Sequence, residues 1–396
     1  MIPRLREVFN ARYTPEKYRR LLQSVDERCG THIEFRISET PCFIPRALAE
    51  EMASTGADLI RQLAESPGYR TASEVSIPPE YDVPGESERP LFASVDFGLV
   101  RGSDGGLHPK LVEIQGFPSL YAFQPEFSEA YRQAYALDPT LPFLLSGLDC
   151  DAYHALLRRA ILGNENPENV VLLELKPLEQ KTRADFLLTE KLCGIRTVCI
   201  TEVEKDGRQL YYREGGRRIP IRRIYNRAIV DELKRTGAKL AFSFRDTLDV
   251  EWAGHPNWFF RMSKFSIPHL RHRAVPRTRF LDRVEQWPED LENYVLKPLY
   301  SFAGLGVKVG PERADLDSIP PEKRGEYILQ ERMRFESAVL TPHGPTQAEI
   351  RVMYIWLEKL TPCTCIVRMG RGKMMGVDHN RDLEWVGASA AFFSAA

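Results

Sequence analysis

The period of the hydrophobic pattern changes along this chain. Residues 12–66 read mainly as helices around a short extended segment, Ile33–Ile37, and Pro45 is placed to start one of them. Behind it Leu48, Met52, Leu59, Ile60 and Leu63 recur at helical spacing, a stripe that needs a sheet to cover it. Residues 67–90 are rich in Pro, Gly, Ser and Glu and read as a loop. The period then drops to two, in strands Leu91–Val100 and Lys110–Gln115 joined by the turn Gly102-Ser103-Asp104-Gly105-Gly106. Residues 121–165 return to helix, with a break around Asp138-Pro139-Thr140-Leu141-Pro142. A buried strand at Asn169–Glu174, a helix to about Cys193 and a strand at Arg196–Thr201 predict a parallel βαβ layer. Arg208–Tyr212 and Arg218–Tyr225 read as strands around the turn Glu214-Gly215-Gly216. From Trp258 onward, short strands, glycine turns and one helix near Pro288–Tyr294 suggest α+β organisation. There is no internal repeat and no low-complexity segment.

The hairpin carries chemistry on one face. Alternate side chains of a strand point the same way, so Glu113 and Gln115 share a side while Val112 and Ile114 take the other. Asp96 is flanked by Val95 and Phe97, which suit an apolar face. Two carboxylates and an amide therefore converge, and hard oxygen ligands of this kind suit Mg²⁺ alongside phosphate oxygens. Taken alone, the same pattern describes an ordinary hairpin with one solvated face.

Composition narrows the classes. The 396 residues suffice for two or three subdomains, and 43% hydrophobic with 28% charged residues is ordinary for a globular protein. The 54 Lys and Arg nearly cancel the 55 Asp and Glu, so no global basic field points to nucleic acid. Arginine clusters locally, between Arg217 and Arg223 and between Arg261 and Arg277. Such clusters are either solvated surface or the lining of an anion site. No run approaches a transmembrane length, and Met1–Glu7 has no apolar stretch behind its charges, so neither membrane nor signal peptide is expected. The seven cysteines are scattered without metal spacing, and Cys363 and Cys365 read as one packed face. A reducing, cytoplasmic location follows.

Downstream, Tyr294-Val295-Leu296-Lys297-Pro298 is an apolar strand ending in lysine. Leu299 to Gly306, with Ser301, Ala303 and Gly304, is a small-residue loop leading to the strand Val307-Lys308-Val309. Backbone N–H groups of such a loop can lie over phosphates while the lysine adds a point charge. It is not a Walker A loop, because no GKS/T triplet precedes a helix. Tyr327–Met333 is an apolar strand running into Gln330, Glu331, Arg332 and Met333, able to offer backbone to an adenine edge and a carboxylate to a ribose. Glu349 and Arg351 share a strand face, and Arg368 and Asn380 follow. Each alone is also an ordinary sheet residue.

In order, these segments resemble the ATP-grasp ligases. Arg261-Met262-Ser263-Lys264 with Ala274-Val275-Pro276-Arg277-Thr278 looks like the family's first lysine segment. Lys297-Pro298 with Gly304 and Gly306 is similar to its second lysine and mobile loop. Gln330–Met333 looks like the adenine hinge, and Glu349-x-Arg351 like the strand after it. The family's closing Asp and Glu-x-Asn strands resemble, in this chain, the N-terminal strands with Asp96 and with Glu113 and Gln115; Gln115 stands where the family has Asn. The resemblance is thus to a circularly permuted ATP-grasp protein of the glutathionylspermidine synthetase and eukaryotic-type glutathione synthetase kind.

That resemblance implies an α/β (α+β) chain with a circularly permuted ATP-grasp fold and an added βαβ, Rossmann-like pre-ATP-grasp subdomain for substrate. Its divisions would be 1–125, helices and metal-binding hairpin; 126–257, the βαβ unit; and 258–396, the nucleotide-binding half. It implies ATP and Mg²⁺ (or Mn²⁺) as cofactors, with Asp96, Glu113 and Gln115 on the metal. Lys264, Lys297, Ser301, Ala303, Gly304, Gly306, Gln330, Glu331, Met333 and Asn380 would bind nucleotide, and Lys297, Arg351 and Arg368 would act in catalysis. The reaction implied is carboxylate–amine or carboxylate–thiol ligation through an acyl phosphate, on small amino-acid- or peptide-like partners. Neither nucleic acid nor membrane is an expected partner, and a homodimer is the assembly expected. Arg36, Arg223 and Arg227 are candidates to receive a carboxylate substrate. A nucleotide-binding module without ligation and a small-molecule phosphotransferase are the alternatives.

Overall fold

The computed structural model describes residues 1–300, 306–372, 375 and 383–394. Four sheets organise them. The largest has seven strands in the order Cys42–Ile44, Gly387–Phe393, Leu360–Gly370, Gly344–Trp356, Phe92–Arg101, Leu107–Gln115, with Val339–Thr341 pairing onto Gly344–Trp356. The N-terminal hairpin is thus built into a sheet whose other long strands come from the C-terminal quarter of the chain. Cys42–Ile44 lies parallel to Gly387–Phe393, and the remaining pairs are antiparallel.

One face of this sheet is apolar. Val95, Phe97, Leu99, Leu111, Ile114, Ile350, Val352 and Val367 are buried in one cluster with Leu48, Met52, Leu59, Ile60 and Leu63. Those five are the predicted stripe, on the helix Arg46–Ala64 that starts after Pro45. The helix and sheet come close enough that a Cβ on Gly56 would meet the Tyr354 hydroxyl at 2.1 Å. The opposite face is divided. At one end Met353, Ile355 and Ile366 pack with Phe127 and Tyr131 of the helix Phe123–Tyr135 and with Leu157 and Ile161 of the helix Cys150–Leu162. At the other end it carries charges.

The predicted βαβ layer forms: Val170–Glu174, the helix Arg183–Cys193 and Arg196–Cys199, with the two strands parallel. Arg223–Asn226 and Glu251–Ala253 extend it to a four-stranded parallel sheet, in the order 251–253, 223–226, 170–174, 196–199. A three-stranded meander, Glu204–Asp206, Gln209–Glu214 and Arg217–Ile221, separates its second and third strands in sequence. The fourth sheet is antiparallel, in the order Thr278–Phe280, Tyr327–Glu331, Tyr294–Pro298, Lys308–Val309.

Three local expectations are corrected. The helix near Pro288–Tyr294 is a single 3₁₀ turn, Leu291–Asn293, because Tyr294 already belongs to the strand that pairs with Glu331. The loop 67–90 contains a short helix, Pro67–Ala72, which Pro67 starts and Ser66 caps by accepting from the Tyr69 N–H at 3.2 Å. Cys363 and Cys365 do not share a face. The register slips between Met353 and Tyr354, so the two cysteines fall into the cores on opposite sides of the sheet.

Candidate functional site

The charged end of the main sheet follows from register. Asp96 has two direct cross-strand partners, Glu113 on one side and Arg351 on the other. Two residues along, Glu349 pairs with Gly98 and with Arg368. Cross-strand partners and residues two apart share a face, so Asp96, Glu113, Glu349, Arg351 and Arg368 form one patch. A β-bulge makes this possible. Phe97 pairs with Leu111 but Asp96 with Glu113, leaving Val112 as the extra residue. Unbroken alternation would set Val112 opposite Asp96 and turn Glu113 toward the core. The bulge instead keeps Leu111 and Ile114 in the core and Glu113 with Asp96.

Two lysines reach this patch from other elements. Lys297, near the end of Tyr294–Pro298, donates to the Val112 carbonyl at 3.2 Å. Lys264, in the 3₁₀ segment Lys264–His269, has its Nζ 3.6 Å from Glu113 Oε1. The chain 262–274 runs along the outer strand of the hairpin: Gly116 N–H donates to the Met262 carbonyl at 3.0 Å and Leu111 N–H to the Ala274 carbonyl at 2.8 Å. This approach requires Gly116, since a Cβ there would lie 2.4 Å from the Trp258 carbonyl oxygen. On the far side Phe335 covers Gly98, where a Cβ would meet its ring at 2.2 Å.

Lys264, Lys297, Arg351 and Arg368 thus gather around Asp96, Glu113 and Glu349 between two sheets. Asp96 is 1% exposed. Its Oδ1 accepts from Arg351 Nε at 2.6 Å, and its Oδ2 accepts from Arg351 Nη2 at 2.7 Å and from Arg368 Nη1 at 3.1 Å. Glu349 accepts from the same Arg368 nitrogen. Burial works against a charged Asp96, but Arg351 and Arg368 outweigh it and hold the carboxyl below its usual range. For Glu349 burial wins over Arg368 and the pKa is raised. Burial, set against the attraction of Glu113, brings Lys297 down to about 8.

The other expected residues are distributed more widely. Gln115 pairs with Ser94, two rungs from the Asp96–Glu113 pair. Gln330 is buried and its amide donates to Thr278 Oγ1 at 3.2 Å, so its side chain is turned into the antiparallel sheet. Glu331 is exposed at the end of its strand, and Met333 is half-buried beyond it. Gly306 takes a left-handed φ of 73°. Ser301, Ala303, Gly304 and Asn380 lie outside the described residues.

The carboxylates do not fit a divalent cation as they stand. Both oxygens of Asp96 are engaged by guanidinium groups, and Glu113 faces Lys264. Among the described residues no group of three His, Cys, Asp or Glu side chains is arranged to hold a metal.

A second polar cluster adjoins the first. In the parallel sheet the chain passes from 170–174 to 196–199 on one side and later to 223–226 on the other. The crevice at the carboxyl ends of 170–174 and 223–226 is therefore a topological switch point, where open α/β sheets take ligands. Glu174 and Asn226 end those strands, and Arg227 follows. Arg227 donates to the Pro118 carbonyl, and its guanidinium lies 5.1 Å from the centre of the Phe117 ring. Gly116 to Pro118 therefore connects the hairpin directly to this crevice. Asp185 is fully buried and accepts from the Leu120, Ala122 and Phe123 N–H groups at 3.0, 2.9 and 3.1 Å, fixing the chain that leaves Pro118. Burial, partly offset by Arg227, raises Glu174 to about 7. Asn226 Oδ1 and Arg227 Nε are buried without a hydrogen-bond partner among the described residues.

Of the three arginines considered for a carboxylate, only Arg227 faces this crevice. Arg36 is bound to Glu39 and Tyr18, and Arg223 to Glu251 and the Ile161 carbonyl. Sequence reasoning missed Glu174, Asp185 and Asn226. The available signal was their position: Glu174 closes the apolar strand of a βαβ unit, where ligand-facing polar groups occur.

No family model matches the chain, and no curated protein matches it in sequence. Among solved structures it is similar to a glutathione synthetase-like effector from Globodera pallida in its apo form. The TM-score is 0.55 at 13% identity, over 96% of this chain and 99% of that one. At that identity the likeness is one of fold: the two chains share a mixed α/β architecture. No helix among the described residues is long and apolar enough to cross a membrane.

Proposed function

We propose that this chain binds the polyphosphate of ATP against Lys264, Lys297, Arg351 and Arg368 and uses it to join a small carboxylate to an amine or thiol. The observation that carries this reading is the convergence of four cationic side chains, from four separate elements, beside a polar switch-point crevice. A transferring phosphoryl group is stabilised mainly by positioned cations and donors, which these residues supply. In the first step a substrate carboxylate oxygen attacks the γ-phosphorus, the bond to the β-phosphate oxygen breaks, and ADP leaves. In the second, the amine or thiol attacks the acyl carbon, loses its proton, and inorganic phosphate departs. Arg227 and Asn226 are suited to a carboxylate-bearing, amino-acid- or peptide-like substrate, because they offer unpaired buried donor and acceptor atoms there. The fold likeness supports this reading at the level of architecture. The permuted order of the segments belongs to the same proposal: strands from both ends of the chain are neighbours in one sheet.

One observation favours a second reading, a nucleotide-binding module without ligation. Asp96 is engaged by Arg351 and Arg368, so among the described residues this cluster offers no open carboxylate pair of the kind expected at a metal-dependent phosphoryl-transfer centre. Incubation with ATP and pooled carboxylates and amines separates the readings. Phosphate release that requires both a carboxylate and an amine supports the ligase. Nucleotide binding without turnover supports the module, and accumulation of a phosphorylated small molecule would instead indicate a phosphotransferase.

A further inference from the structure

A carboxylate sits in the middle of the cations that would receive a polyphosphate. By charge alone it is misplaced there, since it repels the ligand. Its geometry gives it a different task. Asp96 meets Arg351 fork to fork, through Nε at 2.6 Å and Nη2 at 2.7 Å. A two-point pair of this kind fixes the plane of the guanidinium as well as its distance. The same carboxylate takes a third hydrogen bond from Arg368 at 3.1 Å, and Glu349 holds Arg368 from the neighbouring rung. These pairings are set by the backbone: Asp96 with Arg351 and Glu349 with Arg368 are direct cross-strand partners. They are also protected, with side-chain exposures of 2% for Asp96 and 11% for Arg351. A divalent ion would have to displace the guanidinium of Arg351 to reach Asp96, and Mg²⁺ also demands a nearly ideal octahedral shell. A guanidinium has five N–H donors, and Asp96 occupies only part of that set on Arg351.

We propose that Asp96 is a positioning residue rather than a metal ligand: it orients Arg351 and Arg368 as a paired guanidinium receptor, and a nucleotide polyphosphate binds here without a divalent cation at Asp96. This rests on the nucleotide reading above and sets the chain apart from the metal role that the sequence resemblance implies for this residue.

The test is calorimetric titration of the full chain with ATP, and separately with inorganic triphosphate, in EDTA and in Mg²⁺. Wild type, Asp96→Asn and Arg351→Gln are compared, each first checked for a native circular dichroism spectrum. Wild type is expected to bind in EDTA within about tenfold of its affinity in Mg²⁺. Asp96→Asn is expected to bind about tenfold more weakly in both buffers, although it removes a negative charge, because the amide cannot hold both guanidinium groups. A loss confined to Mg²⁺ would identify Asp96 as a metal ligand and overturn the proposal, as would unchanged or tighter binding of Asp96→Asn in EDTA. If Asp96→Asn does not fold, Arg351→Gln decides: weaker binding in EDTA supports the proposal, and unchanged binding overturns it. Wild type that binds in Mg²⁺ but not in EDTA overturns this inference while leaving the nucleotide reading intact. Wild type that binds neither probe in either buffer overturns both.

Discussion

Arg351 closes two nitrogens on the two oxygens of Asp96, joining positions 255 apart in the sequence across one strand boundary. The pair ties the N-terminal hairpin to the C-terminal strands at their charged end. Removing one partner of a buried ion pair leaves the other uncompensated, which costs about 3–5 kcal/mol. Asp96→Ala strands Arg351 and leaves Arg368 with Glu349 alone, and urea titration should register a loss in that range. A loss below about 1 kcal/mol, the scale of exposed pairs, would mean that solvent already reaches the bridge.

Lys297 gives the site a pH limit. Its pKa of about 8 means that the ammonium is present below that value and is lost as the pH rises through it. Polyphosphate binding should therefore weaken on going from pH 7 to pH 9, and Lys297→Arg should flatten that dependence because a guanidinium stays charged throughout. A bound anion favours the ammonium and moves the midpoint upward, so the profile is best measured at low occupancy. Equal dependence in Lys297→Arg and wild type would assign the titration to another group.

Gly116 is fixed by a close approach. A Cβ would lie 2.4 Å from the Trp258 carbonyl oxygen, a backbone atom unable to swing away as a side chain could. Gly116→Ala should destabilise by about 1–3 kcal/mol in denaturant titration. It should also weaken nucleotide binding, because Glu113 and Lys264 are held together by this contact between the hairpin and the 262–274 segment. Stability and binding both unchanged would show that the segment shifts freely.

Glu174 contributes to stability with the opposite sign from a salt-bridged carboxylate. Its pKa is raised from 4.5 to about 7, so within that window the folded protein holds a proton that the unfolded chain has released. Stability from this group is full below pH 4.5 and falls as the pH rises through 7, by roughly 3 kcal/mol at most. The difference in unfolding free energy between wild type and Glu174→Gln, followed from pH 4.5 to pH 8, should drift in favour of the variant. A flat difference would mean that Glu174 ionises normally.

The sequence made the local elements of the site legible. Period-two alternation located the hairpin, apolar spacing located Arg46–Ala64, and strand–helix–strand order located the parallel layer. Which residues meet was less accessible. Pairing of Asp96 with Arg351 depends on a strand order that no local pattern encodes. Gln330, expected to offer backbone to an adenine edge, has its side-chain amide on Thr278, its direct cross-strand partner, a contact that only the pairing of the two strands defines. Glu174 and Arg227 were invisible as a pair for the same reason: one ends and the other follows strands that become neighbours only when the sheet assembles. Asp96 was correctly read as lying on a polar face. That it is held by arginines follows from side chains about 250 positions away.

The bulge at Val112 has one more consequence. Deleting Val112 would give a perfectly regular hairpin with the same residues on each side, since Leu111 would still meet Phe97 and Glu113 would still meet Asp96. What it would lose is the outward-turned carbonyl that receives Lys297. The chain thus retains an irregular ladder where a regular one was available within a single codon, and its lysine is anchored by the irregularity. Relatives of this protein that keep the lysine should be recognisable by the length of this hairpin as much as by its letters.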